Sequence, residues 1–139
     1  MVKTGRDHLE SLRDGRAVHI DGARVDDIAH HPAFRQSVAT ACGLYDFQAA
    51  PENLEKMTFA APGGGKRVNR LWQLPRNLAE LVARREALTA WAELTCGMFG
   101  RSPDHVGSSL AGMVMGRKAF AKSDPKRAQA LLEIGRAHV

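Results

Sequence analysis

The chain has 139 residues, 44% of them hydrophobic and 25% charged, which fits one globular domain with a single core and favours neither a disordered segment nor a membrane protein. No apolar run approaches the length of a membrane span, and the polar start Met1-Val2-Lys3-Thr4-Gly5-Arg6-Asp7-His8 is no secretory signal, so a cytoplasmic location is expected. The net charge is +5, but six Lys/Arg against Asp124 and Glu133 between Gly116 and Val139 carry four of these charges; a basic end without interleaved aromatics reads as a solvated helix face, not a nucleic-acid site.

In chain order, Thr4 to Leu12 reads as a short helix with Leu9 and Leu12 on its apolar side. Val18 to Val25 alternates around Asp21-Gly22, the dipeptide that a two-residue type I′ turn prefers, and predicts a β-hairpin. Pro32 is expected to open a helix carrying Phe34, Val38, Ala41, Cys42 and Tyr45 at three- and four-residue spacing, ending near Ala50-Pro51. From Pro51 to Pro75 the pattern is irregular, with a short acidic turn at 52–55 and an extended piece around 68–74. Asn77 and Glu80 mark the start of a long helix with Leu78, Leu81, Val82, Leu88, Ala92 and Cys96 on one apolar face and Trp91, Leu94 and Met98 on another. A helix apolar on two sides must be covered on two sides. The next helix, Pro103 to about Ala121, holds Gly107, Ser108, Ser109, Ala111, Gly112 and Gly116; each interior glycine costs about 1 kcal/mol, so close packing is the expected reason for them. A last helix begins at Asp124-Pro125.

Several candidate sites are set aside on their spacing. Gly63-Gly64-Gly65-Lys66 has Ala60 and Arg67 where a phosphate loop needs Gly and Ser or Thr, and reads as a flexible loop. His30-His31 lack partners at metal-ligand spacing, His8 and His19 stand alone, and Lys66-Arg67 and Arg84-Arg85 read as surface charge. Cys42 and Cys96 sit in apolar helical patterns and read as buried thiols. The segment Gly100-Arg101-Ser102-Pro103-Asp104-His105 carries more. Ser102 is an N-cap, Pro103 fits the first helical position, and Asp104 suits the positive end of the helix dipole. Arg101 and His105 would then converge with unpaired N–H groups on one small volume able to hold an anion or a phenolic oxygen; taken alone, the motif also reads as a well-capped surface helix.

Several segments in order resemble the N-terminal domain of the 4-hydroxyphenylacetate 3-monooxygenase family, oxygenase component. They are Thr4-Gly5-Arg6 with Leu9 to Arg16, Ile20-Asp21-Gly22 with Arg24-Val25, His31-Pro32-Ala33-Phe34, Arg67-Val68-Asn69-Arg70 with Trp72, Arg84-Arg85, Trp91-Ala92, and Gly100 to Asp104. The resemblance implies a mainly α, acyl-CoA dehydrogenase-like N-terminal helical domain with a small β-hairpin near its start, followed in the family by a middle β domain and a C-terminal helical bundle. It implies chemistry in which reduced FAD, supplied by a separate NAD(P)H-dependent flavin reductase, reacts with O2 to hydroxylate a phenol beside its hydroxyl, in a homo-oligomer that is tetrameric in the family. It places Arg101 and His105 at the substrate's phenolic oxygen, flanked by Ser102, Pro103 and Asp104, with no cofactor contacts or metal assigned to these residues and no nucleic-acid or membrane partner. His105 departs from the Tyr typical of hydroxyphenylacetate enzymes.

The final seven residues, 133–139, match one reading frame of a common sequencing adapter. The expectation is that they are foreign, that residues 1–132 are the helical domain, and that the other two domains are missing, leaving the fragment inactive alone. Two alternatives stay open: a stand-alone helical binding module using its basic C-terminal helix, and a relative of the iron–sulfur hydroxyacyl-CoA dehydratases, which the two widely spaced cysteines disfavour.

Overall fold

A computed structural model describes residues 2–62, 64–97 and 103–137, and the chain divides into a first unit up to Leu54 and a second from Glu55. In the first unit, helix α1 (Gly5–Ser11) begins at Thr4, whose hydroxyl accepts from the Asp7 N–H at 3.2 Å while the Asp7 carboxylate accepts from the Thr4 N–H at 2.8 Å. This reciprocal box satisfies two donors that a helix start would otherwise leave open. α1 packs on α2 (Arg35–Ala49) so closely that position 5 must be glycine. Gly5 N donates to Asp46 Oδ1 at 2.8 Å, and a Cβ there would stand 2.5 Å from Asp46 Oδ2 and 2.7 Å from the Cys42 carbonyl. Buried Gln48 donates from Nε2 to the Lys3 carbonyl along the same seam. His8 does not stand alone, as expected from sequence, but lies on Tyr45 with ring centroids 4.8 Å apart.

Strands β1 (Val18–Ile20) and β2 (Ala23–Val25) pair antiparallel, Val18 opposite Val25. Asp21 and Gly22 both take positive φ, 50° and 80°, as the type I′ turn requires. Helix α2 starts three residues after Pro32, because the His31 carbonyl accepts from both Phe34 and Arg35 and its ring Nδ1 from Ala33, closing residues 31–34 as a separate turn. It ends where Ala50, ahead of Pro51, is driven to an extended ψ of 135°.

The second unit corrects the reading of 51–75 as irregular. After the short helix α3 (Leu54–Met57), β3 (Thr58–Ala60) and β4 (Arg67–Asn69) form a second antiparallel hairpin, with Phe59 opposite Val68. Gly64 and Gly65 belong to its turn and take φ of 94° and 92°. A 3-10 turn (Arg70–Trp72) follows, capped by Asn69 Oδ1 accepting from Leu71 N, and buries Leu71.

Helix α4 (Leu78–Leu94) is capped by Asn77, whose Oδ1 accepts from Glu80 N at 2.9 Å; the Glu80 carboxylate reaches back to Arg76 N. It ends in a Schellman arrangement: Gly97 N donates to Ala92 O, Cys96 N donates to Glu93 O, and Cys96 takes the left-handed φ of 52°. Cys96 is therefore exposed at a cap, and Cys42 is only half-buried, so neither is the buried thiol expected from its pattern. The stripe of α4 that the chain itself buries is Ala87, Ala90 and Trp91 with half-buried Arg84, whereas Leu78 (75% exposed), Leu81 and Leu94 of the Leu-rich sides stay open.

α5 (Pro103–Met115) and α6 (Arg117–Ala121) replace the single helix expected to Ala121, the break falling at Gly116. α7 (Pro125–Ala137) begins at Asp124, whose Oδ1 accepts from Lys126 N and Arg127 N. It packs on α5 and α6, and Met57, Thr58, Leu71, Ala111, Val114 and Ala128 are buried in this unit.

Candidate functional site

Of the residues singled out from sequence, Arg101 and Ser102 lie outside the described residues, as do the side chains of Pro103 and Asp104. Pro103 is the first residue of α5, as its fixed φ favours. His105 stands exposed on that first turn, and among the described residues no hydrogen bond or ion pair holds its ring.

What sequence reading missed is the layer beneath this turn. Arg84, expected as surface charge, projects from α4 and forks onto the Leu71 carbonyl, Nε at 3.1 Å and Nη2 at 2.8 Å, while Nη2 also donates to Ser108 Oγ on α5 at 3.0 Å. Burial pulls its pKa down from the ordinary guanidinium value, but such a group keeps its charge at any physiological pH. Directly beside it, Gly107 faces Leu71 so tightly that a Cβ would overlap Leu71 Cδ1. Close packing is thus the reason for this glycine. The signal was present in the sequence: Arg84 lies three residues before Ala87 and seven before Trp91, on one helix face, where a charge on an inward stripe needs an inward partner.

Two more arginines expected at the surface or left unread are structural. Arg70 donates to the carbonyls of Lys56 (2.9 Å), Glu55 (2.7 Å) and Thr58 (2.7 Å) and to Gln73 Oε1 (2.9 Å). Arg67 donates to Thr58 Oγ1 at 2.7 Å and pairs with Glu55 at 2.8 Å. Guanidinium groups suit this work because their planar forks reach several carbonyls at fixed angles.

The second unit also has an open groove of about 1020 Å³, lined on its apolar side by Phe59, Pro62, Trp72, Leu74, Leu110 and Val114. Arg76 and Glu80 stand at its polar side, and His105 is not part of its lining. Among the described residues no group of three or more His, Cys, Asp or Glu could hold a metal ion. Nor does any helix with described residues have the length and apolarity to cross a membrane.

A mainly helical domain with two small hairpins is the architecture of a known class of oxygenase domains. The 4-hydroxyphenylacetate 3-hydroxylase N-terminal family matches residues 4–137, and the chain belongs to it. A 4-hydroxyphenylacetate 3-monooxygenase oxygenase component from Geobacillus sp. is 39% identical over 129 residues, covering 92% of this chain and 26% of the relative. The crystal structure of the oxygenase component of a 4-hydroxyphenylacetate 3-monooxygenase, complexed with FAD and 4-hydroxyphenylacetate, superposes with a TM-score of 0.83 at 29% identity over 97% of this chain and 27% of that one. The chain thus spans about a quarter of the length of these relatives. An archaeal 4-hydroxybutyryl-CoA dehydratase from N. maritimus superposes over 99% of the chain with a TM-score of 0.76 at 19% identity, a likeness of fold alone. Function must therefore be argued from residues and not from the fold these enzymes share.

The groove does not fit the flavin dinucleotide that such relatives bind. Among the described residues its lining sets one cation, Arg76, beside one carboxylate, Glu80, whereas a pyrophosphate carries two negative charges and calls for a surplus of donors.

Proposed function

We propose that this chain is the substrate-side domain of the oxygenase component of a two-component, FADH2-dependent monooxygenase that hydroxylates a phenol ortho to its hydroxyl. The observation that carries the reading is the family match across residues 4–137 together with 39% identity to a 4-hydroxyphenylacetate 3-monooxygenase. Reduced FAD, delivered by a separate flavin reductase and held by parts of the enzyme outside these residues, would supply the oxidising chemistry with O2. The role of this chain is to hold the phenol.

In this reading Arg101 and His105 take the phenolic oxygen at the entrance to α5. A fixed guanidinium and the positive end of a helix lower the cost of negative charge on that oxygen, and a phenol with phenolate character is the better nucleophile toward an electrophilic oxidant. An imidazole can donate to or accept from the phenol oxygen but is shorter than a tyrosine, so the phenol that fits beside His105 differs in size or acidity from 4-hydroxyphenylacetate.

The test uses the oxygenase read from the source locus beyond the codon for Leu132, supplied with FAD, a flavin reductase and NADH. Arg101→Ala should raise the KM for the preferred phenol by roughly a hundredfold, the loss of a charge-assisted hydrogen bond in a dry site. An unchanged KM removes Arg101 from the site. The same locus decides the remaining part of the proposal, that 133–139 are foreign: a frame running on into a β-rich domain with a different sequence after Leu132 supports it, and a stop codon after Val139 overturns it.

A further inference from the structure

We infer that Arg84 is a positioning residue for the phenol site, bracing the first turn of α5 through Ser108; this rests on the reading of that turn as the substrate end. His105 has no side-chain partner among the described residues, so its place is set by the helix backbone that carries it. Ser108 lies one turn further along the helix and receives Arg84 Nη2 at 3.0 Å. The same guanidinium is anchored on the Leu71 carbonyl, and the Leu71 side chain fills the space that Gly107 leaves. Helix α5 is therefore held at its second turn from two directions. The Arg84 fork sets its height and rotation, and the Gly107–Leu71 contact sets its distance from the 3-10 turn. Further along, Ala111 and Val114 are buried and secure the rest of the helix. Lysine could not reproduce the fork, because its ammonium has no second, coplanar nitrogen to grip the Leu71 carbonyl as Nε and Nη2 do together.

Amide exchange on the 139-residue chain tests the brace without reference to any substrate. The amides of Gly107 to Ala111 bond to carbonyls one turn nearer the start of α5, and Ser108→Ala and Arg84→Lys should each speed their exchange by roughly tenfold. Amides of Ala87 to Trp91 should hold, and Ser108→Thr, which keeps the hydroxyl, should restore protection. Unchanged exchange in α5, or an equal loss throughout the second unit, overturns the inference. In the full-length oxygenase, Ser108→Ala should raise the phenol KM by roughly tenfold with kcat within about twofold, and Ser108→Thr should rescue it. If exchange responds and Arg101→Ala raises KM but Ser108→Ala does not, the positioning role falls. If exchange responds while Arg101→Ala leaves KM unchanged, the reading of the phenol site falls and the brace on α5 stands.

Discussion

The two units of this chain differ in the charged groups that join their segments, a carboxylate in the first and guanidinium groups in the second. In the first, side-chain acceptors receive backbone N–H groups: Asp46 takes Gly5 N, and Asp7 and Thr4 cap α1. In the second, arginine side chains donate to backbone carbonyls: Arg70 to residues 55, 56 and 58, and Arg84 to residue 71. Both arrangements satisfy polar backbone near a small apolar core, which every buried main-chain group demands. The difference lies in how each responds to change. Carboxylates and imidazoles titrate within the range of ordinary buffers, whereas guanidinium groups do not.

The sharpest way to break this comparison is at the two glycine contacts. Gly107→Ala should cost about 3 kcal/mol, because the new methyl meets the fully buried Leu71 side chain and outweighs the helix-propensity gain of alanine. Gly5→Ala should cost less, about 2 kcal/mol, since one of its two close neighbours is the movable end of Asp46, although the other is the Cys42 carbonyl. Denaturant unfolding followed by the tryptophans, Trp72 and Trp91, both in the second unit, and by Tyr45, the sole tyrosine, in the first, reads the two changes separately.

Next in size is Arg70→Met, which keeps much of the apolar stem and removes every donor. It should cost about 2 kcal/mol at any pH from 5 to 8, measured by the tryptophan signal, since carbonyls of Glu55, Lys56 and Thr58 lose a charged donor. A cost that varied with pH would undo the contrast between the units.

The smallest effect is a pH dependence confined to the first unit. Burial against Tyr45, with Lys3 nearby, favours the neutral His8 ring and holds its pKa below the ordinary value of about 6.5. The unfolded chain then takes up a proton that the folded chain resists, so stability is level above about pH 6.5 and declines as pH falls below it. Asp7 adds a second, later loss: its carboxyl is held below its usual value by Thr4, so its contribution is present above about pH 4 and disappears as pH falls through the lowered value. Tyr45 resonances should report an unfolding midpoint that is level from pH 8 to about 6.5 and falls from there to pH 5, the fall abolished by His8→Phe, while the tryptophan signals show none.

Legibility followed the range of the interactions. The β1–β2 hairpin was readable because Asp21-Gly22 states its turn locally, and the caps at Thr4, Asn77 and Asp124 were readable because each satisfies donors within three residues. The second hairpin was not, since a glycine run and a basic pair hide the alternation of its strands. Arg84 was misread for a related reason: its partners lie 13 and 24 residues away, and no local rule names them. The ring of His105 can be placed on an exposed turn, while the roles of Arg101 and His105 rest on the family pattern.

By itself, then, the sequence determined the membership of the chain, the order of its longer helices, the first hairpin and the start of α5, because periodicity, turn dipeptides and caps act over a few residues. The tertiary structure alone decided which face of α4 is buried, that Gly107 packs against Leu71, and that Arg67, Arg70 and Arg84 are braces. Those outcomes depend on which carbonyls and side chains arrive from distant segments, and a guanidinium is held at the surface or inside according to the acceptors it meets there.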